Sequence, residues 1–570
     1  MKEKWEIYSQ NHQIQKMLSQ QINISLITSQ VLINRGITDP EEAKIFLSPQ
    51  LSNLHPPLLM KDMNKAVERI IFAINKKEKI IIYGDYDVDG ITAVSVLIIF
   101  LREAGADVSF RIPERDREGY GLNKRAIKEI KEQGISLLIT VDCGISDYEE
   151  VALARDFNID IIITDHHEVP DRLPPAFAIL NPHQTNCQFP CKHLAGVGVA
   201  FYLIIGLRAE LRKSGFWKNQ AIPNLKKYLD LVALGTIADV VPLTGVNRIF
   251  VKFGLDELSN TSRAGIVALK EVSGLSNSII DTEKVGYRLS PRINAGGRMF
   301  QADDGVRLLT TDDALEAERM AKKLDEKNTN RQQIEGSILK EAISVVEKDR
   351  KMLESKIIVL VSKEWHPGVI GIVASRLVNK YYKPTVLFFL KDGKGKGSAR
   401  SIESFNLFKG LIQCEEFLEN YGGHSQAAGL TVMEENLANF KTHFEKVVDS
   451  QLVDEDFIPR LYIDVPVNLE AISEKLINEL ELLAPFGHGN SPPVFIASKL
   501  ESFNFKVVGR GHLKFKVKDN KRIFDAIGFG MGEFIPNPDH LIQVAFTPQI
   551  NNWQNTRTIQ LKLKDISSDV

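Results

Sequence analysis

Cysteine is scarce in this chain. Four thiols (Cys143, Cys187, Cys191 and Cys414) in 570 residues are too few to staple so long a fold. That excludes a disulfide-built scaffold and points to a reducing, cytoplasmic setting. Cys187, Cys191 and His193 have loosely zinc-like spacing, yet no fourth ligand is evident, and the group reads as structural. Long hydrophobic runs are missing too. The longest, such as Val94 to Leu101, are too short to span a bilayer, and Met1-Lys-Glu-Lys-Trp-Glu lacks the apolar core of a signal peptide. No membrane association is expected. Net charge is nearly absent, at −2, so only local basic patches can attract nucleic acid. What remains is ordinary globular composition, 44% apolar and 25% charged. The length suits roughly two to four domains, each able to bury a core.

The chain is organised around Lys79-Ile-Ile-Ile-Tyr-Gly-Asp85-Tyr-Asp87-Val-Asp89-Gly90. A β-branched run ends in three carboxylates at alternate positions, and a helix-forming stretch, Ile91 to Ala104, comes at once after it. Carboxylates so close repel one another unless a cation neutralises them. The D-x-D-x-D-G order fits the opening of an EF-hand loop. That loop needs a glutamate at its twelfth position, which here is Val96, and a helix in front where this chain has a strand. A calcium loop is excluded. A solvated acidic turn stays as the plain alternative.

Residues 1–60 carry short helical signals and read as an N-terminal extension packed on the neighbouring domain. From Ala66 onward strands and helices alternate. The pattern gives strands at Val108 to Ile112, Ser136 to Val141 and Ile159 to Ile163, and helices at Asn123 to Gln133 and Ser146 to Phe157. Such alternation implies an α/β fold with a doubly wound, mainly parallel sheet, whose ligands bind beyond the carboxyl ends of the strands. Asp85/Asp87/Asp89, Asp142 and Asp165/His166/His167 all fall at such ends. Asp239, a lone acid in an apolar helix-to-strand run (Leu231 to Pro242), either caps a helix or is a ligand, since an unpaired buried charge is expensive. Many carboxylates with one or two imidazoles make a hard site that suits Mn²⁺ or Mg²⁺ better than zinc. The carboxylates exceed what one ion needs, so two ions are expected, roughly 3.5–4 Å apart, as in sites that activate water against phosphorus.

D-x-D-x-D-G, D-C-G, D-H-H and A-L-G-T-x-A-D-V-V-P-L, in this order, resemble the DHH phosphoesterase superfamily. Within it they are most similar to the RecJ single-stranded-DNA exonucleases, from about residue 60 to the C-terminus. By that resemblance Asp87 and Asp142 would hold one ion with Asp85 nearby. Asp89, Asp142, His166 and Asp239 would hold the other, and His167 would meet the scissile phosphate. Asp89, Asp142, His166 and His167 are thus the expected catalytic set. The superfamily often has histidine where this chain has Tyr83, a departure at the first ion's site. The segments Arg111 to Gly121 and Ser290 to Arg298 read as arginine-bearing loops. Their likeness to RecJ motifs makes Arg115 a candidate for the substrate's 5′-phosphate, and Arg292 and Arg298 candidates for its backbone.

Residues 312–351 contain no proline and one glycine, and Asp325 to Gln333 is wholly polar. This reads as a linker helix of roughly 50–60 Å that bridges domains through solvent. It divides a catalytic domain (61–311) from a second α/β domain (352–452). The latter contains Trp365-His366-Pro367-Gly368, a Gly/Lys stretch (Lys391 to Arg400) without the GK-[ST] ending of a P-loop, and Tyr421-Gly-Gly-His424. These resemble the DHHA1 domain, which implies Ser398 and Arg400 for the 5′-phosphate and His366 and His424 for the strand. Residues 453–570 change to short strands. In His512 to Lys518 apolar and lysine residues alternate, with Lys514 and Lys516 on the polar face. Two such strands give the expectation of an OB-like barrel that grips single-stranded nucleic acid.

The implied activity is a 5′→3′ exonuclease on single-stranded DNA with a 5′-phosphate, releasing mononucleotides in repair and recombination. It is expected as a monomer that works with a helicase and a single-strand-binding protein. Two other readings stand beside it: a phosphodiesterase of cyclic dinucleotides or short oligonucleotides, and a non-catalytic scaffold.

Overall fold

The chain opens with strand β1 (Lys4–Ile7) and helices His12–Ile22, Leu26–Asn34 and Pro40–Leu47. Asn11, Ser25 and Asp39 cap these helices through side-chain oxygens that accept first-turn N–H groups. A parallel sheet comes next: β2 (Lys79–Gly84), β3 (Asp107–Arg111), β4 (Leu137–Val141), β5 (Asp160–Thr164) and β6 (Ala178–Leu180), in spatial order β3-β2-β4-β5-β6. Isoleucine and valine fill these strands because both faces are covered. Ile80 and Ile82 enter one core, with helices Met63–Lys76, Val88–Glu103, Gly196–Lys213 and Leu229–Ala238. Ile81 and Tyr83 enter the other, with helix Lys124–Glu132. The strand order reverses between β2 and β4, so the crevice opens beyond Gly84 and Val141.

The structure, a computed structural model, describes residues 3–114, 118–219, 221–299, 303–553 and 556–568. It divides into two compact units, Glu6–Leu324 with Tyr462–Val570, and Asp325–Leu461 with Met1–Trp5. In the smaller unit, β7 (Ile358–Ser362), β8 (Thr385–Lys391), β9 (Lys394–Arg400), β10 (Asn420–Gly423) and β11 (Ala427–Met433) form a mixed sheet, order β10-β11-β9-β8-β7. The Gly/Lys stretch expected as a phosphate-cradling loop is therefore strand β9. Its N–H groups are committed to ladders with β8 and β11 rather than left for an anion. After β12 (Arg460–Ile463), which pairs with β1, comes the barrel: β13 (Val465–Pro466), β14 (Phe495–Val508), β15 (His512–Lys518), β16 (Ile523–Gly528), β17 (Ile542–Trp553) and β18 (Thr556–Ser567). Pairing of β14 with β17 closes five of these strands on themselves, which removes the exposed edges.

The first 60 residues share a core with the barrel, not with the parallel sheet that comes after them in sequence. Leu18, Val31, Leu32 and Phe46 pack in one cluster with Leu476, Leu480, Phe495 and Val544. Buried Glu479 accepts from the Ser25 N–H and the Thr28 hydroxyl, each at 2.8 Å. The polar stretch of the long helix Ala314–Lys348 is also not solvated. Asn328, Arg331 and Glu335 are buried at helical spacing, with Arg331 bonded to Glu335 at 2.6 Å and to Asn328 at 3.0 Å. Burial of polar side chains that satisfy one another looks, in sequence, the same as exposure. No described helix is long and apolar enough to cross a membrane.

Candidate metal centre

The three carboxylates after β2 divide their work. Asp87 caps helix Val88–Glu103 and accepts from the N–H groups of Asp89 (2.9 Å) and Gly90 (3.1 Å). Asp89, inside the first turn and 1% exposed, accepts from the Gly196 N–H at 2.6 Å and the Val197 N–H at 2.8 Å. Those donors are the N-terminus of helix Gly196–Lys213, whose dipole favours an anion. Across the switch point Asp142 comes after β4 with φ at 58°, a left-handed conformation that costs a non-glycine residue energy and that clusters at working sites. A side chain at Gly196 would meet the Asp142 Cβ at 2.7 Å, so glycine is what lets the helix terminus approach.

His166 brings the halves together. Its Nε2 lies 3.1 Å from Asp142 Oδ1, 3.6 Å from Asp239 Oδ2 and 3.8 Å from Asp89 Oδ2. None of these is aligned as a hydrogen bond, and His166 Nε2, Asp142 Oδ1 and Asp239 Oδ2 are buried without one. Three convergent orphans of this kind fit a cation. The donors gather as Asp85/Asp87/Asp142, Asp89/His166/Asp239 and Asp142/His166/His167, with ligand atoms in each group within 4.8 Å of one another. Asp142 belongs to two groups. Asp239 ends helix Leu229–Ala238, and the chain then turns at Val240 (φ 59°) instead of entering the expected strand.

Burial, with repulsion from Asp87, pushes the Asp89 carboxyl up to about 7 against the pull of its two N–H donors. Burial and then the Asp89 charge hold Asp142 and Asp239 well above the carboxylate range. Burial and the neighbouring His167 lower His166 to about 4, which leaves a neutral imidazole suited to a metal. Asp165 behaves differently. Its Oδ1 accepts from the N–H groups of His166 (2.7 Å) and His167 (3.1 Å) and from His167 Nδ1 (2.7 Å), and its Oδ2 accepts from the Ile145 N–H at 3.0 Å. Burial opposes both charges of this pair, but their mutual bond outweighs it, lowering Asp165 and raising His167. Asp165 therefore orients His167 and leaves its Nε2 for a substrate oxygen.

Tyr83, which departs from the superfamily's histidine, is no ligand. Its phenol donates to the Gly121 carbonyl at 3.0 Å beneath the segment after β3. Residues that pattern alone does not flag sit on that segment. Tyr120 donates to the Asp142 carbonyl at 3.0 Å and sets its ring edge-on to His167 at 5.8 Å. Asp147 accepts from the Leu122 N–H at 2.6 Å, and burial raises its carboxyl to about 6. A carboxyl raised in the fold costs stability once it ionises. The cost therefore grows as pH rises from about 4 to about 6 and is constant above. Asp147→Asn is expected to raise the thermal midpoint above pH 6 by the equivalent of on the order of 2 kcal/mol, and to leave it unchanged near pH 3.5. Parallel midpoint curves for the two proteins would refute the assignment.

The remaining expected residues are spread more widely. Arg115 and the Arg298 side chain lie outside the described residues. Arg111, in the same segment, is tied to Glu129 at 2.5 Å and Glu118 at 2.7 Å. Ser290 to Arg298 is helical (Ser290–Met299), not a loop. Its glycines serve close packing: a Cβ at Gly297 would meet the Tyr86 carbonyl oxygen at 2.3 Å, so this helix rests on the acidic segment. Arg292 donates to the carbonyls of Arg288 and Val272. In the smaller unit, His366 caps helix Pro367–Tyr381 by accepting the Gly368 N–H through Nδ1. Ser398 and Arg400 meet at 3.4 Å over Gly371 of that helix. His424 is exposed beyond β10. On the barrel Leu513, Phe515 and Val517 are buried and the lysines face out, but Lys516 already pairs with Asp525 at 3.1 Å. Lys514 stands in register with Lys506 on β14 and Ile527 on β16, and Ile527 with Lys562 on β18.

Three family models match: the DHH family N-terminal domain over residues 79–236, the DHHA1 domain over 354–450 and the RecJ OB domain over 463–565. The single-stranded-DNA-specific exonuclease RecJ of Bacillus subtilis (strain 168) is 39% identical over 99% of this chain and 71% of its own length. That of Escherichia coli (strain K12) is 34% identical over 94% of each. This chain belongs to the RecJ family. A crystal structure of RecJ in complex with Mn²⁺ from Thermus thermophilus superposes with a TM-score of 0.83 at 29% identity, covering 99% of this chain and 79% of that one. A Mg²⁺ complex of the same RecJ gives 0.77 at 28%, covering 99% and 78%. The RecJ architecture of DHH, DHHA1 and OB domains thus extends through the whole chain.

Proposed function

We propose that this protein is a metal-dependent exonuclease that degrades single-stranded DNA from a 5′ end and releases mononucleotides. The observation that carries the reading is the convergence of His166 with Asp89, Asp142 and Asp239 at the switch point, beside Asp85 and Asp87. These six residues would hold two Mn²⁺ or Mg²⁺ ions, which when bound lower the pKa of a water and polarise the phosphodiester. The chain's own groups do the rest. The N-terminus of helix Gly196–Lys213 fixes the Asp89 carboxylate. Asp165 favours His167 as imidazolium, with Nε2 placed to donate to an anionic phosphate oxygen. Tyr120 braces that ring. Arg400, fixed beside Ser398, is the proposed cation for a 5′-phosphate, and the barrel holds the strand. Membership of the RecJ family supports the polarity, action in DNA repair and recombination, a cytoplasmic location, a monomer, and work beside a helicase and a single-strand-binding protein.

The test uses Mn²⁺ and a long single-stranded oligonucleotide labelled at the 5′ end in one reaction and at the 3′ end in another. Immediate mononucleotide from the 5′ label, with gradual shortening of the 3′-labelled strand, is expected. Turnover of dinucleotides with the long strand left intact would instead assign a short-oligonucleotide phosphodiesterase.

A further inference from the structure

Tyr287 is 81% exposed and has neither a hydrogen bond nor a ring contact among the described residues, although it lies inside a helix. That helix is unusual. Thr282–Lys284, the π-helical Val285–Leu289 and Ser290–Met299 run without a break, and π-turns of this kind mark functional sites more often than chance. At its far end Gly297 rests on the Tyr86 carbonyl of the acidic segment. At its near end it touches the barrel. The Thr282 hydroxyl donates to the Phe486 carbonyl at 2.7 Å, and Glu283 lies 4.0 Å from Lys562 of β18. Lys562 in turn stands 5.6 Å from the ring centre of Phe529, a second aromatic, 52% exposed. Phe529 is steadied by the His512 ring, 5.0 Å away edge-on, and by the Gly530 N–H that donates to His512 Nδ1 at 3.1 Å. One rigid element thus links the basic row of the barrel to the metal centre, with an open aromatic at each side of the junction.

We infer that Tyr287 and Phe529 are stacking platforms for bases of the single strand on the 3′ side of the scissile bond, with Lys562 between them to meet the intervening phosphate. This rests on the exonuclease reading and adds the path of the substrate. Stacking on exposed rings is indifferent to sequence, as a general exonuclease requires, and lysine beside an aromatic is the usual grip on a single strand. Ten residues separate Tyr287 from Gly297, about 15 Å of helix, the length of roughly four stacked nucleotides. A trinucleotide bound at the metal centre therefore falls short of Tyr287, whereas a long strand reaches both rings.

The experiment measures kcat and KM for full-length wild type, Tyr287→Ala, Tyr287→Phe and Phe529→Ala, each on a long 5′-phosphorylated single strand and on a 5′-phosphorylated trinucleotide with Mn²⁺. Both alanine variants are expected to raise KM on the long strand about tenfold or more with little change in kcat. The ratio of kcat/KM for long over short substrate then falls by the same factor, and Tyr287→Phe restores it because the ring suffices. Equal losses on both substrates would show a merely structural role and overturn the inference, as would an unchanged ratio. Wild-type protein that leaves the long strand intact overturns the exonuclease reading first, and is told apart because no variant enters that comparison.

Discussion

Asp142→Asn is expected to lower the rate on single-stranded DNA by on the order of a thousandfold while raising the thermal midpoint of the metal-free protein at neutral pH. The two effects share one cause. Asp142 belongs to both the Asp85/Asp87 group and the His166 groups, and its Oδ1 is buried without a hydrogen bond. Burial and the charges of Asp89, Asp87, Asp239 and Asp85 hold its carboxyl far above the usual range. A carboxyl raised in the fold costs stability at every pH above its unfolded value, so an uncharged isostere removes that cost. The same change removes a ligand that both ions would share. Mn²⁺ should therefore raise the midpoint of the wild type strongly and that of the variant weakly, by mass action on the native state. Thermal scans with and without Mn²⁺, beside the oligonucleotide assay, separate the outcomes. A variant that cleaves at the wild-type rate would remove Asp142 from the centre. One that loses both activity and metal-free stability would make it a structural residue.

That centre was largely legible before any coordinates. Alternate carboxylates after a β-branched run and an Asp-His-His after another sit at strand ends, because the parallel sheet places every strand's carboxyl end on one edge. Asp165 shows where legibility stops: in sequence it looks like a ligand, and only its four hydrogen bonds reveal that it orients His167. The glycine-rich segments misled in the other direction. Ser290 to Arg298 and Lys391 to Arg400 look like phosphate loops, yet one is a helix packed on Tyr86 and the other a strand paired on both sides. Glycine permits close approach as readily as it permits a loop, and composition does not distinguish the two. Asp325 to Gln333 failed for a related reason, since satisfied polar side chains bury as well as apolar ones. The grouping of residues 1–60 with the barrel was beyond reach, because it rests on contacts more than 400 positions apart, such as Ser25 with Glu479.

Arg248→Met is expected to destabilise the unit that holds the catalytic sheet and barrel by about 3–5 kcal/mol, the scale of a buried charge network losing its central member. Arg248 sits on helix Gly245–Asn260 of the catalytic domain and is 1% exposed, with no carboxylate partner among the described residues. Burial and then the nearby Arg35 charge lower its guanidinium to about 9, still cationic at neutral pH. Backbone carbonyls neutralise it instead. Nε donates to Phe46 at 2.8 Å, Nη1 to Leu483 at 2.8 Å, and Nη2 to Leu482 at 2.9 Å and Ala484 at 2.8 Å. The guanidinium also stacks 3.9 Å from the Phe46 ring. One planar fork thereby joins the N-terminal helices, the catalytic domain and the turn that leads into the barrel, a geometry lysine does not reproduce. Methionine keeps the apolar stem but leaves those carbonyls buried and unpaired, and each orphan costs about 1–3 kcal/mol. Arg248→Lys should recover only part of the loss. Thermal midpoints of the three proteins, read with and without Mn²⁺, check this. A methionine variant as stable as wild type would mean that water replaces the guanidinium, and that the junction owes its stability to the shared apolar core alone.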